Sequence, residues 1–178
     1  DYLFHGTSPT RVRRCLVGTS AVTVSPVSPP IRILMVTARP EDEACGYIDH
    51  RISAGPVVEA TEALPGLVDL KILNPPTVPA LREELGRAQR AEEPYHIVHF
   101  DGHGFYDHHL GSGGLCFEHP DDTDRLEGRR HAVVHAADLG LLLRDHQIPL
   151  VFLEACETAT AERASGSVAS TLLEAGSV

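Results

Sequence analysis

The sequence has no apolar run approaching the roughly 20 residues needed to cross a bilayer, so it reads as a soluble segment with no membrane partner. Basic residues are in the minority, 15 Lys plus Arg against 25 Asp plus Glu, for a formal net charge of −10. They gather only around Arg11, Arg13 and Arg14, which argues against nonspecific attraction to a phosphate backbone and hence against nucleic acid as a direct partner. Cysteine is scarce and scattered. Cys15, Cys45, Cys116 and Cys156 form no CxxC pair and follow no signal peptide, a pattern suited to a reducing cytoplasm rather than to a disulfide scaffold. There is no HExxH helix, no internal repeat and no extended low-complexity segment. Nor is there an initial Met: the chain begins at Asp1 and stops at Val178 just after a helix-like segment, as expected of an excised domain.

What is present suffices for one domain. The chain has 178 residues, 42% of them apolar and 22% charged, an ordinary balance for a folded core. Residues 1–30 read as an N-terminal extension, with a β-prone piece at 20–24 and a proline-rich linker, SPVSPP, at 25–30. The domain proper is placed at 31–178. Residues 31–37 (IRILMVT) and 67–73 (LVDLKIL) are nearly continuous aliphatic runs, the pattern of strands covered on both faces. A helix is expected over 55–64, with Pro56 near its start, and another after Thr77, where Leu81, Leu85 and Ala88 share one face. A strand over 95–100, a surface loop over 105–114, a short strand at 114–117 and a polar hairpin or mobile loop over 118–130 follow. The chain then offers a helix over 137–146, a strand over 150–153 and a helix over 167–174 capped by Ser167. Strands alternating with helices predict an α/β fold with a mainly parallel sheet, in which ligands meet the carboxyl ends of the strands.

Two stretches carry reactive side chains at such strand ends. HFDGHG at 99–104 ends in His103, and LVFLEACETA at 150–159 contains Cys156. A thiol attacks only as thiolate, and an adjacent imidazole can take its proton. Gly102 and Gly104 are expected to permit a sharp turn and the close approach of a substrate backbone. The N–H groups of Gly104 and Cys156 form an expected oxyanion hole, which makes the deduced chemistry acyl transfer through a His103–Cys156 dyad, with peptide hydrolysis as the reaction. The histidine lies about 50 residues upstream of the nucleophile, an order and spacing of the caspase type.

ARPED at 38–42, VHFDGHG at 98–104, IPLVFLEACETA at 148–159 and GSVASTLLEAG at 166–176 together resemble the CHAT domain, a relative of caspases, legumain, gingipain and separase. The resemblance implies a caspase–haemoglobinase-like three-layer sandwich, incomplete at its C-terminal end, since a further strand and pocket loops should follow Val178. It also implies a cysteine endopeptidase acting on a protein or peptide substrate without a cofactor, with attached repeat or sensor domains as further expected partners. EACE at 154–157 resembles the legumain motif around its nucleophile. Phe152, Glu154 and Cys156 alternate onto one face of a strand, and Glu154 stands where caspases carry the Gln of QACRG. A negative pocket wall at Glu154, with Asp101 beside it as a second substrate-binding acid, predicts a basic residue before the cleaved bond.

Plainer readings compete. A cysteine after an apolar strand is commonly an inert core thiol, the role expected of Cys15, Cys45 and Cys116. His99, Asp101 and His103 alternate along a strand and offer a metal-dependent hydrolase as an alternative, with Asp101 otherwise orienting the loop or lining the crevice. His96 and His99 read as packing residues and His146 as a boundary residue on an apolar stripe. Arg51 reads as a surface ion-pair partner or an aid to the site, and 121–130 as a solvated loop. The non-enzymatic alternative is a CHAT-type protein-interaction or regulatory scaffold.

Overall fold

In the computed structural model the described residues are 27–43, 45–155 and 167–174. The expected strand at 20–24 and the reactive Cys156 lie outside them. The first apolar run forms β1 (Ile31–Thr37), in which Leu34, Met35 and Val36 are all fully buried, as a strand covered on both faces requires. It pairs in parallel with β2 (Val68–Ile72) on one side and with β3 (Ile97–Asp107) on the other. β6 (Leu150–Ala155) lies parallel to β3 on its far side, so the parallel strands run β2, β1, β3, β6. Two antiparallel strands, β4 (Ser112–Glu118) and β5 (His131–His135), continue from the distal half of β3.

β3 is therefore longer than its sequence suggests. The glycine-flanked histidine was expected in a turn after residue 100, yet β3 runs on through Gly102, His103 and Gly104 to Asp107. Gly102 serves close packing rather than a turn: a Cβ there would stand 3.0 Å from the Phe100 ring and 3.1 Å from the Ala38 carbonyl oxygen. The expected loop over 105–114 shrinks to a tight turn. There Asp107 accepts hydrogen bonds from the N–H groups of His109 (2.8 Å) and Leu110 (3.0 Å), and Gly111 supplies a positive φ of 63°. β5 arises from a segment with no strand expectation, because its pairing with β4 supplies what its own five residues do not signal.

The helices are α1 (His50–Glu62), α2 (Val78–Arg90), α3 (Ala136–Asp145) and α4 (Val168–Glu174). α1 starts five residues earlier than the proline suggested, so Pro56 lies inside it. Thr77 caps α2, its hydroxyl accepting from the Ala80 N–H at 3.3 Å, and Ser167 caps α4 through the Ser170 N–H at 3.1 Å. Leu81, Leu85 and Ala88 of α2, Leu139, Leu142 and Leu143 of α3, and Val168 and Leu172 of α4 pack on one face of the sheet, against Leu34, Val36, Val98, Phe100, Leu115 and Phe117. α1 takes the other face, because the chain steps outward from β1 to β2 and back from β2 to β3, and right-handed crossovers in opposite directions lie on opposite faces. Pro56 and Val57 of α1 border an open cleft of about 550 Å³ with Ile33, Ile97, His99 and Phe152. Among the described residues, no helix is long and apolar enough to cross a membrane.

Candidate active site

The segment following β1 organises the site. At its start, the Arg39 guanidinium pairs with the Asp101 carboxylate at 2.5 Å and donates to the carbonyls of Asp101 (2.8 Å) and Ala38 (2.9 Å), tying β1 to β3 at the point where the parallel sheet ends. Asp101 is only 1% exposed. The backbone N–H of the same residue donates to Glu118 of β4 at 3.2 Å. Glu41 accepts from Arg129 (2.7 Å) and from the Gly128 N–H (2.7 Å), and the Arg129 guanidinium holds its carboxyl below the usual range. Asp42 accepts from both the backbone N–H (2.7 Å) and Nδ1 (2.5 Å) of His131. ARPED is thus a strap across the C-terminal ends of the strands, stitched to residues 118–131.

That stitching anchors the expected solvated loop over 118–130, which is largely exposed but holds two buried carboxylates. Asp122 is 1% exposed and accepts from the Arg130 guanidinium at 2.8 and 2.9 Å and from its N–H at 3.0 Å. Arg125 pairs with the same carboxylate at 3.2 Å. Glu118 is buried as well, and burial pushes its carboxyl up despite Arg129 at 3.3 Å.

The end of the strap reaches His103. The ring projects from β3 and its Nε2 lies 2.6 Å from the Gly46 carbonyl oxygen. A carbonyl only accepts, so Nε2 carries the proton and the neutral ring leaves Nδ1 as its acceptor. Beside it, β6 runs in register with β3, Glu154 opposite Asp101 and Ala155 opposite Gly102. The described part of β6 ends there, one residue short of Cys156. Gly104 follows His103 in β3 and pairs with Leu115.

Glu154 and Asp101 occupy different environments despite being cross-strand neighbours. Asp101 is buried against Arg39, whereas the Glu154 side chain is 48% exposed, with Oε2 3.3 Å from His99 Nε2. Phe152, on the same face of β6, packs its ring at a tilt of 53° against His99 with centroids 5.1 Å apart. His99 is thus a packing residue, and His96 another, its Nδ1 accepting from the Arg32 N–H at 2.9 Å while burial and the Arg32 charge lower its pKa.

The metal set imagined at His99, Asp101 and His103 does not assemble, because the three side chains turn to Glu154, Arg39 and Gly46 respectively. Among the described residues the grouping whose geometry could hold a metal ion is Asp42, Cys45 and His131, whose ligand atoms all lie within 4.8 Å of one another. Sequence reasoning missed it. Asp42 sat within the quoted ARPED motif and Cys45 three residues on, but nothing local pointed to His131.

The described residues thus form a mixed α/β sheet in which His103, within β3, lies beside the parallel strand β6. Residues 23–177 match the model of the CHAT domain, and the chain belongs to that family. No curated protein matches the sequence.

Proposed function

We propose that the chain is a cysteine endopeptidase module with a caspase–haemoglobinase-like three-layer sandwich, His103 serving as proton acceptor and Cys156 as nucleophile. The observation that carries this reading is the Gly46 carbonyl on His103 Nε2, which sets the tautomer and aims a basic Nδ1 away from the strap. In the reaction, the Cys156 thiol proton passes to His103 Nδ1 and the thiolate adds to the scissile carbonyl carbon. The N–H groups of Gly104 and Cys156 receive the oxyanion; losing one such donor costs about 3 kcal/mol of barrier lowering in enzymes of this kind. Collapse breaks the C–N bond, and the leaving amine takes the proton from the imidazolium. Water, deprotonated by the same nitrogen, then cleaves the thioester and restores the thiol.

The specificity assignment narrows to Glu154. Asp101 is sheltered by a guanidinium, so its role is to hold β1 on β3 beside the histidine rather than to meet substrate. Glu154 remains as the outward-facing acid, which favours Arg or Lys before the cleaved bond. The test is labelling by an acyloxymethyl ketone carrying Arg at that position, with wild type, Cys156→Ala, His103→Ala and Cys15→Ala compared. Labelling of wild type and Cys15→Ala that disappears in the other two supports the dyad. A folded wild-type protein that takes no label from Arg, Lys, Asn or Asp probes refutes it and leaves the interaction-scaffold reading in its place.

A further inference from the structure

The strap carries a second constellation that peptidase chemistry does not use. Asp42 and Cys45 are brought onto one side of a turn closed by the Cys45 N–H on the Asp42 carbonyl at 3.1 Å. They face the antiparallel strands, from which two more donors rise. Cys116 and Glu118 share one face of β4, and the cross-strand partner of Glu118 on β5 is His131, so Cys116 and His131 project to the same side. The Asp42 carboxylate is hydrogen-bonded to His131 Nδ1, and the Cys45 and Cys116 thiols are neighbours whose charges interact. The strap and β5 thus bring one sulfur, one imidazole nitrogen and one carboxylate within 4.8 Å of one another, and β4 presents a second sulfur, that of the buried Cys116, to the same side.

We infer that Cys45, Cys116, His131 and Asp42 form a tetrahedral site for a divalent zinc-like cation. With metal–ligand bonds of roughly 2.0–2.3 Å, donor atoms of such a site stand about 3.3–3.8 Å apart, inside the 4.8 Å within which those of Asp42, Cys45 and His131 already lie. Two sulfurs and a nitrogen suit zinc and reject magnesium or calcium, which take oxygen cages. Four protein ligands leave no open position, so the role is structural.

Ligation breaks two S–H bonds, forms two metal–sulfur bonds and releases two protons to solvent. The ion also takes the place of the proton between His131 Nδ1 and Asp42, with His131 then protonated on Nε2. Without metal, burial pushes the Cys116 thiol up to about 12, and burial together with Asp42 raises that of Cys45. Affinity therefore climbs steeply with pH as two reluctant thiols ionise. Gly46 follows Cys45 directly, so an ion bound here also fixes the carbonyl that holds His103. That consequence rests on the peptidase reading, whereas the site itself does not.

Cobalt titration tests it. In a Cys15→Ser, Cys156→Ser background the remaining thiols are Cys45 and Cys116. Expected are binding of one equivalent of Co²⁺, the sulfur-to-cobalt charge-transfer band, the strong visible bands of tetrahedral cobalt, and displacement by one equivalent of Zn²⁺. Adding Cys45→Ser or Cys116→Ser should cut the charge-transfer band per bound cobalt to about half and the two together should abolish it, at unchanged circular dichroism, and His131→Ala should weaken binding at least about tenfold, since even loss of a ligand's hydrogen-bond partner costs that much. The inference is overturned by a folded background protein that gives no band with cobalt, by a band undiminished in either single serine variant, or by a band that survives when both thiols are replaced. Because the readout is spectroscopic and omits the proposed nucleophile, loss of peptidase activity and loss of the metal site are distinguished.

Discussion

Replacing Arg39 by Met strips the charge from one end of a buried pair while keeping most of the side-chain volume. The guanidinium side chain is 14% exposed and its partner carboxylate 2%, so solvent can replace little of the lost interaction at Asp101. Removing one member of such a pair costs about 3–5 kcal/mol, because the other charge is left buried. For a domain of this size each kcal/mol moves the melting temperature by about 2–4 °C, so the expected fall is on the order of 10 °C. Urea unfolding of Arg39→Met, Asp101→Leu and the double variant measures it. The double variant should recover most of the loss, lying within about 2 kcal/mol of wild type, since an apolar pair need not be desolvated at a cost. A single variant that loses less than about 1 kcal/mol, or three variants whose effects simply add, would refute the buried pair. Asp101 would then return to lining the crevice as a free acid.

Acid titration of Glu84 gives a further expected outcome. Its carboxylate, 10% exposed, accepts from Arg87, Lys71 and Tyr95, and these bonds, Arg87 foremost, hold its pKa at about 2 against an ordinary 4.5. The folded value lies below the unfolded one, so the stabilisation is complete above pH 4.5 and drains away as pH falls towards 2. Lys71 and Arg87 are half exposed and screened, which limits it to about 1–2 kcal/mol. Glu84→Gln should flatten the urea midpoint across that window, and an unchanged acid slope would show the network to be idle. Gly114→Ala should lose about 2–3 kcal/mol, since its Cβ would fall 2.2 Å from the Phe105 ring and 2.4 Å from the Val134 carbonyl oxygen; a wild-type urea midpoint would contradict that packing.

The legible parts of this fold are those written in local pattern. β1 occupies the seven residues its aliphatic run marks, and α2 begins after the threonine that its side-chain oxygen suits to capping. The α3 stripe of Leu139, Leu142 and Leu143 is buried as its spacing requires. Local pattern misled where glycine was read as a turn. Gly102 sits in an extended strand because the Phe100 ring and the Ala38 carbonyl occupy the space a side chain would need, and neither neighbour marks that in sequence. β5 was invisible for a related reason, its stability residing in a ladder to β4 rather than in its own composition.

The sequence alone determined the alternation of strands and helices and the placing of Glu154 towards the carboxyl end of its strand, because hydrophobic periodicity and chain order are local properties. Tertiary structure alone decided which charges and donors meet. Arg39 finds Asp101 across 62 residues, and Asp42 finds His131 across 89. No local pattern encodes such pairs: a carboxylate among ordinary surface acids becomes a buried anchor only when the sheet closes and removes it from water.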